Sequence, residues 1–195
     1  MKILALLNMV CDLMGLSQID TISGDHDENT ALLVALLQQS GAEVSVRIDW
    51  PQFLCSTIIN HVPFNLPEDF HRPLRDGAVM MRDHSFARQV MTVADWQIVH
   101  KNSRSPWYWI NDKVLHLTIN DRAILRYFSK NWVMSSQNDQ KSMITSDDDL
   151  IKLPTYLLIK DIIWRWRRSQ GLDFSNQLQE FETSFAAEKL LLFGT

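Results

Sequence analysis

The sequence predicts an α+β fold: a helical bundle made from N- and C-terminal helices, with an inserted antiparallel β-sheet subdomain. Three observations carry this expectation. Apolar residues recur at helical spacing near both ends, the middle alternates short β-branched and aromatic runs with turn residues, and Ile144–Gly171 bears the marks of a helix specified at both ends. With 195 residues, 46% hydrophobic and 22% charged, the chain is long enough to bury a core. The expectation is a single domain, 1–195, with helical parts at about 1–52 and 146–195 and the β subdomain at about 53–145.

In the first helical stretch Ile3, Leu6, Leu7, Val10, Leu13 and Met14 share a stripe, and Gly15 is placed to end the helix before the loop Ser17 to Gly24. A second helix is expected from near Asp25, with Glu28 at the capping-box position and Leu33, Leu37, Val44 and Ile48 on its apolar face towards Asp49-Trp50-Pro51. Gly41 weakens its middle. Asp25-His26-Asp27-Glu28 has metal-ligand chemistry, but acids at a helix start satisfy free amides and the dipole, and that is the reading adopted.

Strands are expected at Phe53 to Ile59, Gly77 to Met81, Phe86 to Met91, Trp107 to Ile110, Val114 to Ile119 and Ile124 to Val133. Asp83-His84-Ser85 and Asn111-Asp112 suit hairpin connections, since Asn and Asp tolerate positive φ. One short helix, starting at Thr92 with Asp95 as its capping partner and carrying Val93, Trp96 and Val99, interrupts the strands. Ser135 to Ser142 has the polar composition of a mobile loop.

The next helix has Pro154 in its first turn, Asp147-Asp148-Asp149 near its positive end, three arginines near its negative end and Gly171 as the left-handed cap. Ile159, Ile162, Ile163 and Trp166 share one face; Asp161, Arg165 and Arg168 form another, read as a solvated ion-paired face. Lys160, Trp164 and Arg167 form a third stripe. Together Lys160, Trp164, Arg165, Arg167 and Arg168 are the candidate assembly or DNA-channel contacts, against the plainer reading of basic side chains covering an apolar helix. After Gly171, Asp173 or Ser175 caps a last helix striped by Phe174, Leu178, Phe181 and Phe185. Leu190-Leu191-Leu192-Phe193 then calls for cover, from its own core or a neighbouring subunit.

Composition narrows the function. A net charge of -4 argues against a dedicated nucleic-acid binder, although a local basic stripe is compatible with it. Cys11 and Cys55 have no C-x-x-C spacing and read as reduced thiols in a cytosolic setting. The run Lys2 to Leu7 is broken by Asn8 and Asp12, so it makes a poor targeting segment, and Lys152, Lys160 and Asp161 interrupt the apolar run of the penultimate helix, so no membrane is implied. There is no G-x-S-x-G, H-E-x-x-H, P-loop or Rossmann fingerprint. The six histidines, 26, 61, 71, 84, 100 and 116, are scattered, and adjacent aspartates cannot all ligate one ion; no catalytic residue, cofactor or metal is expected.

Several pieces together resemble the head-to-tail adaptor proteins of tailed bacteriophages, the gatekeeper or tail tubular A type. They are Asp12-Leu13-Met14-Gly15-Leu16, Asp49-Trp50, Leu66-Pro67-Glu68-Asp69-Phe70, Ala94-Asp95-Trp96, Tyr127 with Asn131-Trp132-Val133, and Leu153-Pro154 through Arg168. Their order and spacing carry the resemblance across nearly the whole chain. Asn120-Asp121, in place of a Pro-containing turn, and Gly41 depart from it. The resemblance implies a virion protein, made in the host cytoplasm, forming a dodecameric ring beneath the portal protein at the head-to-tail interface. A tail tube or nozzle protein would attach below, and double-stranded DNA would pass through in transient contact. It implies no catalysis. The alternatives are a DNA-associated regulatory or processing protein using the basic stripe 160–168, and a small enzyme assembled from scattered His and Asp residues.

Overall fold

A computed structural model describes residues 1–24 and 27–194; Asp25 and His26, on which the expected start of the second helix and the candidate metal cluster partly rest, lie outside the described residues. In chain order the elements are α1 (Ile3–Met14), α2 (Glu28–Arg47), β1 (Leu54–Ile59), β2 (Phe64–Asn65), β3 (Phe70–Pro73), β4 (Val79–Met81) and β5 (Phe86–Gln89). There follow α3 (Val93–Asn102), β6 (Trp107–Asn111), β7 (Val114–Leu117), β8 (Ala123–Ser129), β9 (Val133–Met134), β10 (Gln140–Lys141), β11 (Leu150–Ile151), α4 (Thr155–Ser169) and α5 (Ser175–Phe193). The protein is thus mixed α+β. Two compact units emerge, one of residues 1–48 with 130–195 and the other of residues 49–129.

In the first unit α4 contacts α1, α2 and α5. Helix α1 buries Ile3, Leu6, Leu7, Val10 and Cys11, the spacing of a helix with one inward stripe, and stops at Gly15 with φ 68°. Leu13 falls outside that stripe and is exposed, contrary to expectation. Asp27 caps α2 by accepting from the Thr30 amide at 2.7 Å. Gly41 is a packing residue: the indole of fully buried Trp132 lies where its Cβ would stand. Trp132 Nε1 donates to the Ser142 carbonyl at 3.0 Å, and the Gln38 side chain spans Ser142 and Ile144.

These contacts move the expected boundary. Residues 130–151 belong with the helices, because Trp132 is part of their core, and the expected strand Ile124 to Val133 divides into β8 and β9 in different sheets. The small antiparallel sheet runs β10-β9-β11, so the expected mobile loop Ser135 to Ser142 contains a strand.

The three aspartates do not cap α4, whose first turn has no acidic residue. Asp149, fully buried, accepts from the amides of Thr145 (2.8 Å) and Ser146 (3.0 Å) and pairs with Lys141 at 2.7 Å. Asp147 accepts from the Thr21 hydroxyl and the Ile22 amide, and Asp148 pairs with Lys2. The triplet therefore ties its own loop, the 17–24 loop and the start of α1 together. Burial works against ionisation of Asp149, but Lys141 and the two amides outweigh it and hold the carboxyl below its usual value.

The second unit is an eight-stranded sheet, ordered β1-β8-β4-β5-β6-β7-β2, with β3 also on β8. Strand β8 is central, with β1 along one edge and β4 and β3 in succession along the other. Its inward residues include Ile59, Val79, Ala87, Tyr108, Leu115, Leu125 and Tyr127. The Tyr127 hydroxyl donates to Asp69 at 2.9 Å; burial, and then that carboxylate, push its pKa up. The sheet is mixed, not antiparallel as expected. β5 and β6 run parallel because α3 connects them, and a helical crossover returns the chain in the same direction. The expected hairpins form: His84 has φ 65°, and Asp112 and Lys113, both with positive φ, make a two-residue turn between β6 and β7.

Helix α3 starts as expected, with Thr92 accepting from the Asp95 amide at 3.1 Å. Among its described side chains none is buried. It sits on the sheet through rings: Trp96 stacks on His100 (5.2 Å) and Trp109 (5.8 Å), and His116 lies 5.4 Å from Trp109. Two histidines far apart in sequence thereby converge in a structural cluster.

Candidate functional site

The stripe singled out on α4 is largely engaged within its own unit: Trp164 is buried, Lys160, Arg165 and Arg167 are half-buried, and Arg168 is exposed. Asp161 is completely buried and its carboxylate accepts from Trp164 Nε1 at 2.7 Å and Arg165 Nε at 2.8 Å. Arg165 also pairs with Glu43 of α2. Burial opposes its charge, but the two carboxylates outweigh that and raise its pKa. Asp161 and Arg165 are therefore a buried pair, not the solvated face expected. Trp164 is buried, with its ring 6.0 Å from Phe174 and the Arg165 guanidinium over it. Lys160 donates to Ser184 at 2.7 Å, and Arg167 to the Asp173 carbonyl at 2.6 Å. Four of the five candidates thus hold α4 to α2, to α5 or to the α4–α5 turn, and only Arg168 stands exposed.

The surface that meets the requirements of a contact site lies on the outward face of the second unit. Because strand residues alternate, the inward set Ile59, Leu125, Val79 and Ala87 implies outward neighbours one residue away. Ile58 pairs with Ile124, Ile124 with Met80, and Met80 with Phe86, so four apolar side chains form a row across β1, β8, β4 and β5. Ile58 is 45% and Phe86 50% exposed. On one side of the row Arg126 lies over the Phe86 ring, 5.5 Å from its centroid, and 3.4 Å from Met80 Sδ. On the other side Arg82 and Arg122 join Ile58, Met80, Ile124 and His84 in lining a cleft of about 380 Å³.

Both arginines are presented by turns whose acids are occupied. Asp83 accepts from the Ser85 hydroxyl (2.6 Å) and amide (3.0 Å), which lowers its pKa, and Asp121 accepts from the Arg122 amide at 2.7 Å. The guanidinium groups of Arg82 and Arg122 have no ion-pair or hydrogen-bond partner among the described residues. The units differ in charge accordingly: residues 49–129 hold nine basic and eight acidic residues, a balance of +1, whereas the rest hold ten and fifteen, a balance of -5.

Sequence reasoning missed this site because its residues are spread over positions 58 to 126 and meet only through strand register. The available signal was the outward alternation Met80-Arg82, Phe86-Arg88 and Arg122-Ile124-Arg126. Among the described residues no group of three or more His, Cys, Asp or Glu side chains is arranged to hold a metal ion, and no helix is long and apolar enough to cross a membrane. Both cysteines are free. No protein-family model matches the chain, and no curated protein matches it significantly.

Proposed function

We propose that this protein is a head-to-tail adaptor of a tailed bacteriophage: a structural virion protein that forms a ring, of twelve copies, beneath the portal, joins the capsid vertex to the tail and lets DNA pass. One observation supports it above the others. The first 48 residues and the last 66 fold together as a helical unit, and residues 49–129 form a separate sheet unit between them. That division follows the helix, sheet and helix succession expected from the sequence pattern, and the pieces that carry the resemblance lie in both units.

The chemistry of the surface is consistent with assembly as the activity. The arginine-flanked apolar row has the aromatic, aliphatic and guanidinium make-up typical of protein contact surfaces. The chain's net charge of -4 suits a conduit, because tight phosphate binding would retard moving DNA. The rival use of the 160–168 stripe for duplex binding loses support, since Lys160, Arg165 and Arg167 each already bond to a group of the helical unit.

Electron microscopy and native mass spectrometry of the protein, alone and mixed with the portal rings of its virus, test the proposal. The expected result is a twelvefold ring stacked on the portal. A protein that neither rings nor joins the portal, or one that binds random duplex tightly at physiological salt, would refute it.

A further inference from the structure

The last turns of α5 form an apolar tip. The Tyr156 hydroxyl bonds to Glu188 and Lys160 to Ser184, so α5 runs antiparallel to α4, and residues 189–193 extend past the start of α4 at Thr155. At 1.5 Å per residue that overhang is about 7 Å. On it Leu190 is 59% and Leu191 82% exposed, and Phe193 is exposed too. The expected burial of these residues does not occur within the chain. Helix α5 also ends without a basic residue in its last turn, whereas α4 ends with Arg167 and Arg168. Its negative dipole end and outward carbonyls therefore lack a cation of their own.

The cleft on the second unit has what this tip lacks. It combines an apolar floor of Ile58, Met80 and Ile124 with the guanidinium groups of Arg82 and Arg122, which have no partner among the described residues. Resting on the ring reading, we propose that the subunit contact seats the α5 tip of one copy in this cleft of the next. Leu190, Leu191 and Phe193 cover the apolar row, and the two arginines donate to carbonyls of the last α5 turn. The tip belongs to the unit of balance -5 and the cleft to the unit of balance +1, so long-range attraction favours this pairing over like with like. Because the two patches differ, the contact is heterologous. Each copy offers both, and successive copies close into a ring when the rotation allows.

Two variants test it by sedimentation velocity at concentrations where the parent protein assembles. Leu191→Asp disables the tip, and Ile58→Asp the cleft. Both positions are exposed, so each variant should melt like the parent, and each alone should associate ~100-fold more weakly. Mixed in equal amounts they should form a one-to-one dimer and stop, since only one intact tip and one intact cleft remain to meet. Arg82→Ala with Arg122→Ala should weaken association by about tenfold. Rings from either single variant, or no dimer in the mixture while the parent rings, would overturn the docking and leave the ring reading standing. A parent protein that stays monomeric, alone and with portal rings, removes both. Variants that ring normally but no longer join the portal would assign the tip to the portal instead.

Discussion

The helical unit and the sheet unit use charge in opposite ways. In the helical unit two carboxylates go inward with their partners: Asp161 is sealed beneath Trp164 and Arg165, and Asp149 gathers two amides and Lys141. In the sheet unit the core is apolar and aromatic, the backbone ladders close it, and Arg82 and Arg122 lie outside it with no partner among the described residues. The difference follows from how each is held together. A sheet satisfies its backbone by strand pairing and needs no polar side chain to set register. Helices satisfy themselves internally, so joining four of them and a loop from distant parts of the chain calls on side chains that recognise specific partners.

Removing an inward charge should therefore cost far more than changing the outward face. The largest effect is expected from Asp161→Ala, which leaves Arg165 with Glu43 alone and orphans the Trp164 indole; urea unfolding should show a loss of about 3 kcal/mol or more. A loss below about 1 kcal/mol would mean that the buried pair is replaceable, and the contrast between the units would weaken.

Asp149 sharpens the comparison through pH. Its folded carboxyl is held below the unfolded value near 3.8, so its contribution is complete above that value and disappears as pH falls through the lower folded one. Asp149→Asn should cost about 1.5–3 kcal/mol at neutral pH, and the gap to the parent should close only below about pH 4. A gap that persists unchanged to pH 2 would contradict the assignment.

Gly41→Ala comes next. Alanine is better in a helix by about 1 kcal/mol, yet its methyl would occupy the space of the Trp132 ring. Overpacking at a fully buried indole should win, for a net loss of about 1–2 kcal/mol in thermal unfolding. A stabilised variant would show that Trp132 yields easily.

The smallest global effect belongs to Trp96→Ala. Helix α3 buries none of its described side chains and is held by its ring stack, worth about 0.5–1.5 kcal/mol per pair. Hydrogen exchange should show α3 losing protection while β4 and β8 keep theirs. Protection lost across the whole sheet unit would mean that the helix is integral to it.

Much of the fold was readable from residue order alone. The inward stripe of α1 from Ile3 to Val10, its Gly15 stop, the Thr92–Asp95 cap of α3 and the turns at His84 and Asp112 formed as anticipated, because each depends on spacing, capping or backbone preference within a few residues. The candidate site was not readable in this way. Lys160, Trp164, Arg165 and Arg167 look like a surface stripe in the sequence, and nothing within one helix reveals that Glu43, Ser184, Phe174 and Asp173 come to meet them.

The sequence by itself determined the helix and strand types, most turns and the succession of helices, strands and helices, since these follow from local periodicity and local hydrogen bonding. Only the tertiary structure decided which charges are buried, why Gly41 interrupts a helix, that α3 makes β5 and β6 parallel, and that an apolar row between arginines faces outward on the sheet. Those outcomes depend on partners far away in the chain, and burial or pairing between distant residues leaves no periodic mark on either of them.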